Sequence, residues 1–102
     1  MDSDPDSADR KSADREADRL IRAFFRDGRL VSIPARQGKR LVVLRELREM
    51  CFPEDREYPE KEVNMRLALV HPDVAALRRY LVDSRLMSRL NGVYRRLPGS
   101  GG

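Results

Sequence analysis

The chain has 102 residues, of which 40% are hydrophobic and 37% charged, as is typical of a single small domain with one core. It contains no apolar run that approaches the length of about 20 residues needed to span a membrane. Its acidic start is the reverse of a signal peptide. Its one cysteine, Cys51, excludes an internal disulfide. Together these features predict a cytoplasmic protein with no membrane segment.

The net charge of +4 hides an asymmetry along the chain. Residues 1–19 sum to −3, whereas the remaining residues sum to +7. Six arginines and one acid lie within residues 78–96, and these arginines are Arg78, Arg79, Arg85, Arg89, Arg95 and Arg96. Such a cluster attracts phosphates or acidic protein surfaces. It equally fits the solvated exterior of an arginine-rich protein.

The first element in chain order is a helix. Residues 1–13 have almost nothing to bury and are expected to form a disordered acidic tail. A helical pattern begins at Asp14, with an apolar stripe that ends in Phe24 and Phe25. Asp27-Gly28 is expected to end this helix, because glycine readily adopts the left-handed conformation of a helix C-terminus. A short strand is predicted over residues 29–33, closed by Pro34.

The second helix follows Gly38. Its apolar stripe consists of Leu41, Val43, Leu44, Leu47, Met50 and Cys51. The charged residues of the same segment are predicted to lie mostly on the opposite, solvated face, and they are Arg45, Glu46, Arg48 and Glu49. Cys51 is therefore interpreted as a small buried residue at the end of this helix.

Two further helices are predicted on either side of a sharp break. Tyr58 forms a short extended segment, and Pro59 with the acids after it marks a helix start. The apolar face of this third helix contains Val63, Leu67 and Val70. His71-Pro72 interrupts the chain, and Asp73 is predicted to cap the fourth helix, which buries Val74, Leu77 and Leu81.

A hairpin closes the predicted domain. Residues 86–90 and 93–97 flank Asn91-Gly92, the dipeptide best suited to a type I′ turn. Residues 98–102 are expected to form a flexible tail. The order of elements predicts one α+β domain over residues 14–97, of winged helix-turn-helix type, with a helical core that supports the C-terminal hairpin. The short early strand joins the sheet or pairs at its edge.

In a helix-turn-helix domain, the second helix of the pair enters the major groove. Here that helix starts at Asp73, and its outward side carries Arg79 with Ala75, Ala76 and Asp83. Asp83 follows Arg79 by four residues, so an ordinary surface ion pair is also predicted between them. Arg78 lies on the flank, where it is expected to brace the neighbouring helix.

Several segments between Phe24 and Leu97 resemble a known family. They are Asp27-Gly28-Arg29-Leu30 with Ile33-Pro34, Tyr58 with Glu60 and Glu62-Val63-Asn64, His71-Pro72-Asp73, Leu77 to Asp83, Met87-Ser88-Arg89 and Tyr94-Arg95-Arg96. On these segments the chain resembles the prokaryotic domain-of-unknown-function family numbered two thousand and eighty-seven. The resemblance implies a domain that occurs alone or fused to DNA-binding domains in transcription regulators. Pro59 departs from the serine or threonine expected as the helix cap.

The groups that catalysis would need are few. One histidine, His71, and one cysteine fall short of a zinc site, and the chain has no glycine-rich phosphate loop. A Cys51–His71 dyad is conceivable, but His71 is better interpreted as bonding backbone groups at the helix break. Tyr58 and Asn64 either bridge elements inside the fold or line a small ligand pocket.

The leading hypothesis is a non-catalytic domain, without cofactor or metal, that binds duplex DNA in transcription regulation. It places Arg79 near base edges and Arg89, Arg95 and Arg96 on phosphates. The alternative is a protein-interaction or ligand-sensing module on the same scaffold. That alternative predicts a protein partner or self-association through an exposed apolar patch around Phe24 and Phe25.

Overall fold

The computed structural model describes residues 5–98, with side chains from Arg15 onward. In this part of the chain, four helices and two small antiparallel sheets form a mixed α+β domain. The elements are α1 (Pro5–Phe24), β1 (Phe25–Arg26), β2 (Arg29–Leu30), α2 (Gln37–Cys51), β3 (Glu57–Pro59), α3 (Glu60–Ala68), α4 (Val74–Asp83), β4 (Met87–Leu90) and β5 (Val93–Arg96).

Helix α1 starts earlier than the sequence pattern predicts. It begins at Pro5, not Asp14, so residues 5–13 continue the helix where a disordered tail is expected. Proline is favoured in a first helical turn, and the alanines and basic residues between Ala8 and Ala13 have good helix propensity. The rest of the predicted tails, residues 1–4 and 99–102, lies outside the described residues.

Asp27-Gly28 is the turn of a small hairpin, not a helix C-terminus. Asp27 has φ 52° and Gly28 has φ 76°, and the turn joins β1 to β2 in antiparallel register. A type I′ turn needs positive φ at both central residues, which is the same backbone requirement that made the dipeptide resemble a helix end. The predicted strand over 29–33 is therefore shorter, ending at Leu30, and it pairs with β1 and not with the larger sheet.

The core lies between the helices and the three-stranded sheet. Its buried members are Leu30, Val43, Leu44, Leu47, Cys51, Phe52, Tyr58, Val63, Leu67, Val70, Leu77, Leu81, Leu86, Met87 and Tyr94. The predicted inward faces of α3 and α4 are confirmed, except that the buried Val70 follows the end of α3 and Val74 is only partly buried. On α2 the pattern is wrong at two positions, because Met50 is 38% exposed and Arg48 only 7%.

The buried Arg48 connects α2 to the ends of the hairpin. Its Nη1 donates hydrogen bonds to the carbonyl oxygens of Leu86 at 3.1 Å and Leu97 at 3.0 Å. Its Nε pairs with Glu49 at 3.2 Å. Helical periodicity could not reveal this, because the acceptors come from residues 38 and 49 positions later in the chain.

The larger sheet has the order β3-β5-β4. Asn91 (φ 53°) and Gly92 (φ 74°) form the turn between β4 and β5, which confirms the predicted hairpin. The extended segment at Tyr58 is the third strand, with Tyr58 opposite Tyr94. The amide of Glu60 donates to the carbonyl of Gly92 at 2.9 Å, so α3 begins beside the hairpin turn.

The break between α3 and α4 is held by hydrogen bonds at its C-terminal side. Asp73 is the N-cap of α4, its Oδ1 accepting from the amide of Ala76 at 3.2 Å, as predicted. The imidazole Nδ1 of His71 accepts from the amide of Asp73 at 3.0 Å, which confirms a backbone-bonding role for His71.

Replacing Asp73 by alanine removes this cap and is expected to lower the free energy of unfolding by about 1 kcal/mol. Asp73→Asn keeps a side-chain oxygen for the Ala76 amide and is the matched control. Urea denaturation of both variants provides the measurement. Equal destabilisation by the two substitutions would show that the charge, and not the capping hydrogen bond, stabilises α4.

Candidate nucleic-acid interface

A concavity of about 340 Å³ lies between α4 and the hairpin. Three of the six candidate arginines line it, namely Arg78, Arg79 and Arg89. The other lining residues are Glu60, Ala75, Val82, Asp83 and Tyr94. The fold therefore brings together half of the basic residues selected from the sequence, and it adds two acids to the same surface.

Glu60 is the acidic centre of this concavity. Its Oε1 accepts from Arg89 Nε at 2.9 Å and from the Tyr94 hydroxyl at 3.4 Å, and its Oε2 lies 3.6 Å from Arg78 Nη1. The hydrogen bond from Arg89 is the main cause of a pKa lowered from the ordinary value of a glutamate. The same contact raises the pKa of Arg89. Burial is the main cause of a raised pKa at Tyr94.

Arg78 braces α4 against α3, as predicted. Its Nη1 donates to Asn64 Oδ1 at 2.8 Å, so Asn64 bridges the two helices. The Nε of Arg78 is buried and makes no hydrogen bond to the described residues. Tyr58 is buried, and its hydroxyl holds the loop before β3, because it donates to the Glu54 carbonyl at 2.8 Å and accepts from the Glu54 amide at 3.0 Å.

Arg79 is the exposed arginine of α4. It lies on the outward side with Ala75 and Asp83, which are also exposed. Among residues 15–98 it makes no side-chain hydrogen bond, and no ion pair forms with Asp83 within 4.0 Å. The predicted surface pair is therefore not formed, and the Arg79 guanidinium faces solvent at the edge of the concavity.

The other three candidate arginines lie elsewhere. Arg85 follows α4 with φ 61° and lines a separate groove of about 330 Å³ beside Tyr80. Arg95 is exposed on the face of the sheet opposite to Arg89, because Arg95 pairs with Ser88 whereas Arg89 pairs with Tyr94.

The side chain of Arg96 makes contacts within the fold. It donates to both carboxylate oxygens of Glu49 at 3.2 and 2.9 Å and to the Phe52 carbonyl at 2.7 Å. Its hydrogen bond is the main cause of a lowered pKa at Glu49. Only 19% of the Arg96 side chain is exposed. Its guanidinium is therefore occupied by the contact between α2 and the hairpin.

Cys51 and His71 have separate partners. The Cys51 thiol lies 4.0 Å from the Arg66 carbonyl, and burial raises its pKa to about 11. A thiol of this kind is a poor nucleophile near neutral pH. Within residues 15–98, whose side chains are described, no group of three or more metal-ligating side chains forms. Within residues 5–98, no helix is long and apolar enough to cross a bilayer.

Sequence reasoning missed the contact between Glu60 and Arg89. It interpreted Glu60 as an acid that complements the dipole at a helix N-terminus, and Glu60 does lie in the first turn of α3. The extended segment at Tyr58 was the available signal. Once that segment pairs with β5, the residue that follows it, Glu60 at the start of α3, lies beside the hairpin.

Comparison with known protein families gives a match over most of the described domain. The model of a family described as an uncharacterized protein conserved in bacteria, DUF2087, matches residues 29–96. No curated protein and no solved structure matches the chain.

Proposed function

The chain belongs to the bacterial DUF2087 family, and we propose that it binds duplex DNA as a non-catalytic winged helix-turn-helix domain in transcription regulation. The order of elements supports the proposal. Helices α3 and α4 are joined by a short break, β4 and β5 follow directly, and β3 completes a sheet of order β3-β5-β4. In this arrangement α4 is the groove-reading helix and the β4–β5 hairpin is the wing.

The observation that carries the proposal is the exposed guanidinium of Arg79 beside Arg89 in the α4–hairpin concavity. The small exposed side chain of Ala75 on the same side of α4 allows close approach to a groove. Arg79 is proposed to contact DNA directly, and Arg89 to contact a phosphate after exchanging Glu60 for it. Arg85 and Arg95 are exposed but lie outside this concavity, so they add positive charge elsewhere on the domain. Since Cys51 is free and buried, a reducing cytoplasm is the proposed compartment.

Titration of a labelled duplex of about 20 base pairs over a range of salt concentrations tests the proposal. The association constant is expected to fall linearly on a double-logarithmic plot, with a slope of about −0.9 per phosphate neutralised. Arg79→Gln is expected to weaken binding and, where Arg79 contacts a phosphate, to reduce that slope by about one.

Arg22→Gln is the matched control, because Arg22 is exposed on α1 outside the concavity and carries the same charge. Absence of binding at about 50 mM salt would overturn the proposal. So would an equal loss of affinity in the Arg22 and Arg79 variants.

The alternative function is a protein-interaction or ligand-sensing module without direct DNA contact. One observation favours it: Met65 on α3 and Leu69, the residue directly after that helix, lie four residues apart and are 63% and 72% exposed. Neighbouring exposed apolar side chains on a helix are a common feature of protein-binding surfaces. The salt titration separates the two functions, because only DNA binding predicts a steep dependence on salt.

A further inference from the structure

A second concave surface lies between α1 and the start of α2, apart from the α4–hairpin concavity. It is an open groove of about 590 Å³. From α1 it is lined by Glu16, Ala17, Arg19 and Leu20, and from the other side by Arg36, Gly38, Lys39 and Val42. The expected apolar patch around Phe24 and Phe25 is not this surface, because both phenylalanines pack against the core.

The floor of the groove is apolar and incompletely covered. Ala17, Leu20 and Val42 line it, and each is only partly buried. Covering such apolar area with another apolar surface is favourable, because it removes both surfaces from water. The floor therefore favours an occupant that has an apolar face of its own.

Gly38 leaves one side of the groove open. It lies in the first turn of α2, its φ is not positive, and a Cβ built on it would meet nothing within 4 Å. Neither the backbone conformation nor the packing of the domain requires glycine at this position, and alanine would favour the helix more. Close approach of another molecule to the backbone is a remaining reason for a glycine.

The charges on the rims of the groove are mainly basic. Three of the four charged lining residues are bases, namely Arg19, Arg36 and Lys39, and the fourth is Glu16. Within residues 15–98, none of these four side chains takes part in an ion pair or a side-chain hydrogen bond. Helix α2 has neither a side-chain cap nor an acid in its first turn, so its dipole adds to the positive potential. The rims therefore favour an acidic occupant.

We propose that this groove binds an acidic amphipathic helix of a partner protein. Apolar side chains repeated along one face of such a helix cover the floor of the groove. Glutamates and aspartates beside that face meet the basic rims. Duplex DNA fits this surface less well, because its phosphates would meet the basic groups but leave the apolar floor without a matching surface.

The probe that tests the proposal is a labelled peptide of about 18 residues, or about five helical turns, with leucines along one face and glutamates beside them. Fluorescence anisotropy with the intact chain and without DNA measures its dissociation constant, so the outcome is independent of DNA binding. In one control peptide lysines replace the glutamates, and in another the same residues are reordered so that no apolar face forms. We expect the probe to bind at least about tenfold more tightly than either control. Equal affinity for the three peptides would overturn the proposal.

Lys39→Glu reverses one basic rim charge and is expected to weaken binding of the probe at least about threefold. An acid in the first turn of α2 favours the helix dipole, so the thermal stability of the domain should not fall. Lys61→Glu is the matched control, because Lys61 is exposed in the first turn of α3 and does not line the groove. Equal losses of affinity in the two variants would show that net charge attracts the peptide, and the groove would lose its assigned role.

Gly38→Gln changes the shape of the groove without changing its charge. Glutamine has a higher helix propensity than glycine, and its Cβ meets no other part of the domain, so the variant should be at least as stable as the wild type. Its side chain occupies space beside the floor and is expected to weaken binding of the probe about tenfold. Unchanged affinity in this variant would contradict the proposal. A loss of DNA affinity without a loss of peptide affinity would assign the groove to nucleic acid and contradict it as well.

Discussion

Arg48→Ala is expected to lower the free energy of unfolding by about 3 kcal/mol. The substitution removes the donor for the Leu97 carbonyl and one of two donors for the Leu86 carbonyl, whose other donor is the Leu97 amide. A buried acceptor that loses its partner costs about 1–3 kcal/mol. The buried apolar stem of the arginine adds to the loss.

Urea denaturation of Arg48→Ala and Arg45→Ala provides the measurement. Arg45 belongs to the same helix and carries the same charge, but its side chain makes no hydrogen bond within residues 15–98. We expect Arg45→Ala to change the free energy of unfolding by less than about 0.5 kcal/mol. If both variants lost the same stability, the effect would belong to helix propensity or net charge and not to the carbonyl contacts.

Glu60→Gln is expected to raise the affinity for duplex DNA about tenfold at 50 mM salt. The substitution removes the carboxylate that holds Arg89 at 2.9 Å and frees that arginine for a phosphate. One further phosphate contact steepens the salt slope by about 0.9, so the gain should shrink as the salt concentration rises. Glutamine keeps an amide oxygen as acceptor for the Tyr94 hydroxyl, so the local hydrogen bonding of the hairpin is retained.

A double-mutant cycle with Arg89→Gln distinguishes this exchange from a general change in charge. If Arg89 carries the gain, Glu60→Gln will have little effect in a chain that already lacks Arg89. If Glu60 acts only by repelling the whole duplex, the two effects will add. Additive effects would therefore contradict the proposed exchange of Glu60 for phosphate at Arg89.

Local patterns were sufficient for the parts of the fold that local chemistry determines. The apolar spacing predicted most of the buried faces of α2 to α4, Asp73 predicted a cap, and Asn91-Gly92 predicted the hairpin turn. Asp27-Gly28 shows the limit of this approach. The dipeptide requires positive φ, which suits a helix end and a hairpin turn alike, and only the pairing of Phe25 with Leu30 decides between them.

The contacts that organise the candidate interface depend on tertiary structure. Arg48 belongs to the charged pattern of its helix, yet it is buried, because its guanidinium donates hydrogen bonds to carbonyls at the two ends of the hairpin. Arg89 and Glu60 are 29 residues apart and meet only because β3 pairs with β5. The six arginines were found from composition, but their division between the concavity, other exposed positions and the Glu49 contact required the tertiary structure.

The hydrogen bond from the Glu60 amide to the Gly92 carbonyl fixes the hairpin turn to the first residue of α3. A two-stranded ribbon free at its tip would lose much conformational freedom on meeting a rigid ligand, and that loss would weaken binding. Here the turn is already anchored before any ligand arrives. The hairpin and the helix pair therefore form one surface whose backbone is already ordered before any ligand binds.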